Sequence, residues 1–387
     1  MYSDLCESVY YTDPTAHARR SLRDKLSDLF DRSGGPDIFK KGETVCIKVH
    51  FGEEGNTSYL RPAYAHLLVN KLKDLGASPF ITDSNTLYRG SRHTTEDHLR
   101  TARHHGFTEE NIGAPIIIAE EFDEIEGDSI GSRPIRIARL VREADSLLVI
   151  SHVTGHVIFG YAGALKNVSM GLSSPAGKQV MHSDLKPVVK EDKCVACGTC
   201  RDYCPVNAIT QKGEDKARIN HRQCIGCGEC IAVCPVGAIP ILWKTKTSLI
   251  SRKSAAYARS VLAGKKDKAL FINFLIDVTP DCDCCDWSDP AFIPDQGILA
   301  SRDIVAVDQA SVDLIGKAPL IPGSIAVRKS IQISRKKIPS SVASQFISFP
   351  RVKDKLLTLF GIDTKPFLVD AEEAGLGSRK YELKTVE

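Results

Sequence analysis

Apolar positions recur along this chain in two rhythms that take turns. Residues 17–31 carry Leu22, Leu26, Leu29 and Phe30 at helical spacing, and Ser33-Gly34-Gly35-Pro36 ends that helix. Thr44–Val49 is a short β-branched run and predicts a strand. Pro62–Leu75 predicts an amphipathic helix closed by Gly76. Phe80–Thr82 predicts a strand, Thr95–Arg103 a helix, Pro115–Ala119 a strand. Ser146–Ser151 is apolar enough to predict a strand buried on both faces. Further on, Ala269–Val278 predicts a strand and Val307–Ile315 a helix, and from about 330 to 387 the pattern is weak. Strands separated by helices of this length predict parallel β-α-β units. The expected fold is therefore α/β, a mostly parallel sheet with helices on both faces.

A repeat interrupts this pattern. Cys194-Val-Ala-Cys197-Gly-Thr-Cys200-Arg-Asp-Tyr-Cys204-Pro205 returns 30 residues later as Cys224-Ile-Gly-Cys227-Gly-Glu-Cys230-Ile-Ala-Val-Cys234-Pro235. Each half reads C-x2-C-x2-C-x3-C-P. The repeat resembles the bacterial ferredoxins that hold two [4Fe–4S] clusters, in which the fourth Cys of one half ligates the other half's cluster. That resemblance implies one cluster on Cys194, Cys197, Cys200 and Cys234, and a second on Cys224, Cys227, Cys230 and Cys204. Two zinc ions would also use eight thiolates, but zinc does not require the duplicated spacing or the Cys-Pro endings. The expected organisation is an α/β domain over 1–185, a two-cluster insert over 186–244, and a returning α/β segment over 245–387.

Composition narrows the field. The 387 residues carry 51 basic and 48 acidic side chains, net +3, a balance that argues against a duplex-binding basic face. The longest apolar runs fall far short of a membrane span, and the N-terminus has no basic-then-apolar leader, so a cytoplasmic protein bound to neither nucleic acid nor membrane is expected. Thirteen cysteines, an odd number and clustered, point to metal or redox chemistry rather than a disulfide framework.

Ligands of open parallel sheets bind beyond the carboxyl ends of strands. Four predicted strands end in reactive residues: His50 to Thr57, Asp83 to Thr86, His152 to His156 with Lys166 and Asn167 beyond, and Asp281-Cys282-Asp283-Cys284-Cys285-Asp286. Cys282, Cys284 and Cys285 read as a third metal or iron–sulfur site, with a redox-active Cys284–Cys285 pair or a structural turn as alternatives. His152 and His156 are candidate proton donors or ligands, and Lys166 a candidate anion-binding group. His93, His98, His104 and His105 lie around a charged helix and read as solvated. With no G-x-G-x-x-G after a strand and no P-loop, a nicotinamide or ATP site has no support.

The stretches KVHFGEEGNTSYLRP and Ser151–Gly171, SHVTGHVIFGYAGALKNVSMG, together with the repeat inserted after them, resemble the DUF362 family, in its subgroup with a ferredoxin-type insert. The Lys-x-Lys-x-His run usual in that family is here Leu148-Val-Ile150-Ser-His152, without either lysine. The layout is distantly similar to that of lactate-racemase-type α/β proteins. Two functions follow as expectations. One is an iron–sulfur oxidoreductase whose clusters feed electrons to a small-molecule substrate or metal at the strand ends, with His152, His156, Lys166, Cys284 and Cys285 as candidate catalytic residues. The other is a ferredoxin-like carrier whose α/β body docks a redox partner protein such as a ferredoxin, flavodoxin or reductase.

Overall fold

The computed structural model describes residues 6–130, 133–183, 185–242, 247–329 and 354–387. In chain order its strands are β1 (Glu7–Thr12), β2 (Thr44–Lys48), β3 (Ser78–Ser84), β4 (Ile116–Ala119), the hairpin β5 (Phe122–Ile130) and β6 (Arg133–Ala138), and β7 (Ser146–His152). There follow the small ribbon β8 (Thr154–His156) and β9 (Gly160–Ala162), the short pair β10 (Ile209–Thr210) and β11 (Arg218–Ile219), then β12 (Ala269–Leu275), β13 (Gly297–Ser301) and β14 (Tyr381–Thr385).

One eight-stranded sheet runs in the order β14-β1-β13-β12-β7-β2-β3-β4. β12, β7, β2, β3 and β4 are mutually parallel, β14 is parallel to β1, and only β13 runs against its neighbours β1 and β12. The mostly parallel α/β architecture follows from the alternating pattern, and the antiparallel β13 modifies it. Both sheet faces are covered. Along β7, Leu147 and Val149 enter one apolar cluster while Leu148 and Ile150 enter the other. β12 alternates in the same way, with Phe271 and Leu275 against Leu270, Ile272 and Phe274. The period-2 geometry of a strand thus delivers an unbroken apolar run to two cores. Helices Leu22–Arg32 and Pro62–Asp74 pack on one face; Ala164–Gly171, Thr247–Leu262 and Ile304–Lys317 pack on the other.

β12 and β13 come from after the cysteine repeat and lie between β1 and β7, which come from before it. The chain leaves this body at helix Pro175–His182 and returns at helix Thr247–Leu262. The two helices touch, with Lys253 Nζ donating to the Val180 carbonyl at 3.0 Å. The cysteine segment builds its own small core from Cys200, Ile209, Cys230, Ile231, Cys234 and Ile239. One body residue, Leu87, belongs to that core as well. Among the described residues no helix is long and apolar enough to cross a membrane.

Candidate functional site

The two halves of the repeat fold alike because their backbones turn at matching positions. Left-handed φ angles occur at Ala196, Gly198 and Asn207 in the first half and at Gly226, Gly228 and Gly237, each 30 residues on, in the second. Each half then brings its first three thiols around one cavity and sends its fourth to the other. Cys194, Cys197, Cys200 and Cys234 line a space of about 340 Å³ walled by Val189, Val195 and Ile239. Cys204, Cys224, Cys227 and Cys230 line one of about 300 Å³ walled by Val206, Ile209 and Ile225. Backbone amides donate to the sulfurs: Ala208 N–H to Cys204 at 3.2 Å, Ala238 N–H to Cys234 at 3.2 Å, Gly226 N–H to Cys224 at 3.3 Å. These bonds stabilise thiolates and tune whatever the thiolates hold. A single zinc ion, with Zn–S bonds of about 2.3 Å, needs its ligands drawn in to a point. Among the described residues no three Cys, His, Asp or Glu side chains converge in that way. Thiolates spread around an apolar cavity fit a multi-iron cluster.

The four parallel strands β12, β7, β2 and β3 end on one edge, and their following residues form a single cleft of about 1180 Å³. His50, Asp83, His152, His156, Lys166, Cys282, Cys284 and Cys285 all line it. The cysteine loop is fixed from several sides: Glu53 N–H donates to the Asp283 carbonyl at 2.8 Å, Tyr88 Oη to the Cys284 carbonyl at 3.1 Å, and Asn56 Nδ2 to that of Cys285 at 3.3 Å. Lys166 is set by Asp308, whose buried carboxylate accepts from Ala164 N–H at 2.8 Å and Leu165 N–H at 3.0 Å, at the start of helix Ala164–Gly171. A side chain at Gly163 would put Cβ 2.6 Å from that carboxylate, so the glycine is needed for the close approach.

Lys166 Nζ donates to Cys282 Sγ at 3.2 Å and to Cys284 Sγ at 3.4 Å. Burial opposes its charge, but the two sulfurs outweigh burial and hold the ammonium above its usual range. His50 Nδ1 accepts from Gly52 N–H at 3.1 Å, which leaves the proton on Nε2, 3.4 Å from Cys284 Sγ. A hydrogen bond to Cys282 and burial push the Cys284 thiol up, whereas a hydrogen bond from Cys282 pulls the Cys285 thiol down.

The two candidate histidines have distinct surroundings. His152 uses both ring nitrogens, Nδ1 on Asp283 at 2.9 Å and Nε2 on the Ile276 carbonyl at 2.8 Å. Burial disfavours its charge, yet the Asp283 carboxylate and the carbonyls outweigh burial and raise its pKa. Its place is to hold the cysteine loop, with no nitrogen left for a metal. His156 Nδ1 accepts from Ile158 and Phe159 N–H, both at 3.2 Å, and burial keeps the ring neutral with its proton on Nε2.

Around Asp83, Arg92 and Lys178 of the cleft wall lies a charge network with little sequence signal. Lys48, with no exposed surface, pairs with Asp83 at 3.0 Å and donates to Asn167 Oδ1 at 2.7 Å. Arg92 pairs with Glu53 at 3.1 Å and approaches Asp83 at 3.7 Å. Lys178 donates to Ser84 Oγ at 2.8 Å and to the Asn85 carbonyl, and burial brings its pKa down to about 7. The reading of His98 and His105 as solvated is corrected: both are buried, His98 at 3.7 Å from Asp83, and burial lowers its pKa to about 3. The lysines missing from Leu148–His152 have a neighbour that supplies one, since Lys48 on β2 sits opposite Val149 on β7. A lysine inside the apolar run Val45–Val49 was the available clue; for Arg92 and Lys178, on loop and helix, nothing local distinguishes them from surface cations. Cys46 lies in the core, where burial pushes its thiol up to about 12, and Cys6 is exposed at the edge of the described chain.

Gly55 has φ +96°, and a Cβ there would overlap the backbone oxygen of Asp286. Gly55→Ala is therefore expected to dislodge the cysteine loop. Alkylation of Cys284 and Cys285 should accelerate about tenfold, as a local opening made cheaper by about 1.4 kcal/mol requires. Mass spectrometry of pulse-alkylated peptides checks this; unchanged rates would show that the loop is held without the Gly55 contact.

An α/β body with its reactive edge beneath a ferredoxin-like cysteine segment defines the class of this protein. The chain belongs to the DUF362 family (domain of unknown function), whose profile matches residues 45–313. A stretch of 27 residues is 59% identical to an uncharacterized polyferredoxin-like protein of Methanocaldococcus jannaschii, covering 7% of this chain and 17% of that one. Among solved structures, the lactate racemase apoprotein of Thermoanaerobacterium thermosaccharolyticum aligns over 70% of this chain and 51% of its own, at 13% identity and TM-score 0.35. A Thermotoga maritima protein aligns over 72% and 55%, at 14% identity and TM-score 0.35. Neither likeness is deep enough to bear on function.

Proposed function

We propose that this chain is an iron–sulfur oxidoreductase in which two [4Fe–4S] clusters deliver electrons to the thiol-lined cleft at the strand ends. Cys194, Cys197, Cys200 and Cys234 hold one cluster; Cys204, Cys224, Cys227 and Cys230 hold the other. Bound clusters supply one-electron transfer, and the protein supplies the route and the reacting groups. The observation that carries the reading is the segment Leu87-Tyr88-Arg89. Leu87 lies both in the core of the cysteine segment and in the wall of the cleft. Tyr88 Oη reaches the Cys284 carbonyl at 3.1 Å, and Arg89 Nη2 the Cys234 carbonyl at 2.7 Å. Three consecutive residues thus tie a cluster ligand to the cleft, over a span no longer than a few residues of chain.

Cys282 and Cys284 are the expected acceptors: oxidised to a disulfide, they would take two electrons and two protons and return as the two thiols beside Lys166. A third metal centre there has less support, because the Lys166 ammonium takes the position between the two sulfurs that a metal would need. The carrier reading rests on a different observation: Val195, Tyr203 and Val236 are 59%, 59% and 40% exposed on the cysteine segment, an apolar surface for a redox partner such as a ferredoxin, flavodoxin or reductase.

Coulometric titration of anaerobically purified protein separates the two. Two clusters accept about two electrons per chain. Starting from protein oxidised to the Cys282–Cys284 disulfide, the enzyme reading expects about four electrons from the parent and about two from a Cys282→Ser, Cys284→Ser variant of equal iron content. A parent that takes up only two electrons is a carrier.

A further inference from the structure

The cleft holds two lysines that no carboxylate of the described residues meets at hydrogen-bond distance. Arg92, Lys166 and Lys178 line the cleft beside the carboxylates Asp83 and Asp283, and Lys48 and Glu53 pair with Asp83 and Arg92. Asp283 is engaged by His152 Nδ1 at 2.9 Å. Lys48 and Arg92 each have a carboxylate partner at hydrogen-bond distance. Lys166 and Lys178 have none among the described residues: the first rests on two sulfurs, the second on a hydroxyl and two carbonyls. Lys178 is more than nine-tenths buried, and both lysines line the same cleft.

The charge on the two lysines is met by no carboxylate at hydrogen-bond distance: Lys166 reaches only the sulfurs of Cys282 and Cys284. The neighbouring histidines do not add to it, since burial holds His50 and His182 at about 4 and His156 well below its usual value. The acceptor side is also incomplete. Asp83, a residue of the cleft wall, has its Oδ2 buried without a hydrogen-bond partner, with Arg92 and His98 3.7 Å away. A buried cation without counter-charge is costly, and proteins keep such groups where a ligand supplies the missing charge.

We propose that the cleft binds a small doubly charged anion, a dicarboxylate or a phosphate ester, with its charged groups on Lys166 and Lys178 and its apolar part against Ile158, Ala162 and Met170. The proposal deepens the reading of the cleft as the reacting site. It places the ligand's charged end beside Cys282 and Cys284, within reach of the Nε2–H of His50. Lys166 and Lys178 lie on two successive helices, Ala164–Gly171 and Pro175–His182, and the second of these is the helix from which the chain leaves for the cysteine segment. Ligand recognition and the docking of that segment therefore share a structural element.

Isothermal titration of anaerobically purified, cluster-loaded protein with oxalate and with inorganic phosphate tests this, against chloride at matched ionic strength. Saturable one-to-one binding of at least one dianion is expected, weakened at least tenfold by Lys178→Gln, which can keep the bonds to Ser84 and Asn85, and separately by Lys166→Gln. The exposed-site control Lys317→Gln should bind as the parent does. Tighter oxalate binding assigns a dicarboxylate; tighter phosphate binding assigns a phosphoryl group. Should Lys178→Gln fail to fold, judged by circular dichroism, the half-buried Lys166 variant carries the test alone. Absence of saturable binding by either dianion, or folded variants that bind like the parent, overturns the proposal. The readout is independent of electron transfer: a chain with iron that binds no dianion defeats this inference alone, and a chain that binds a dianion without iron defeats only the cluster reading.

Discussion

Replacing Cys204 with alanine is expected to lower the iron of anaerobically prepared protein from about eight atoms per chain to about four, the loss of one cubane. The cluster lost should be the one on the second triplet, although Cys204 belongs to the first half of the repeat. Cys204 lines the cavity of Cys224, Cys227 and Cys230, with its sulfur receiving the Ala208 amide. The reciprocal variant, Cys234→Ala, should remove the other cluster, because Cys234 shares its cavity with Cys194, Cys197 and Cys200. Iron and sulfide analysis gives the count, and EPR of the reduced protein gives the identity of what remains. A Cys204 variant that lost the signal assigned to the first triplet would refute the crossed arrangement.

The second large effect is in the body. Asp83→Ala should cost about 3–5 kcal/mol of stability, the range for removing one partner of a buried ion pair. Asp83 is 2% exposed and faces Lys48, Arg92 and His98 together. Its loss leaves Lys48, which has no contact with water, without a counter-charge. Burial alone would raise the Asp83 carboxyl, but Lys48 with His50, His98 and Arg92 outweighs burial and holds it well below the usual carboxylate range. A carboxyl with a depressed folded pKa contributes stability that is complete above its unfolded value of about 4 and is lost as pH falls through the folded one. The parent and Asp83→Ala should therefore differ most at neutral pH and converge in strong acid. Urea denaturation at a series of pH values measures it, and a gap independent of pH would assign the effect to packing.

Much of this was legible in the chain. β2, β3, β4, β7 and β12 were visible as β-branched or apolar runs because buried parallel strands need apolar side chains on both faces. The convergence of His50, Asp83, His152 and the cysteine loop followed from their places after four such strands. What escaped notice had physical reasons. β1 and β14 lie at one end of the sheet, where ESVYYT and YELKT are mostly exposed or half-buried and carry no apolar run. β13, GILAS, is wholly buried but only five residues long, and periodicity does not separate so short a run from a helix. The helix Thr247–Leu262 mixes Ser, Arg and Lys with its apolar residues, and several of its polar side chains turn out to be buried. The roles of Arg92 and Lys178 depend on residues far away in the chain, so no local spacing announces them.

The contact between helices Pro175–His182 and Thr247–Leu262 has a consequence for how the chain folds. It clasps the two ends of a stretch of roughly sixty residues, so the body need not wait for metal to bring those ends together. If the proposed clusters hold that stretch together, the stretch without iron would be a tethered loop whose closure costs on the order of 4 kcal/mol, growing only logarithmically with its length. The body would carry that entropic load until clusters formed, and replacing the loop with a short linker should lift it. Under the proposed reading, such an architecture would let an oxygen-sensitive cofactor be lost and rebuilt on a scaffold that stays folded.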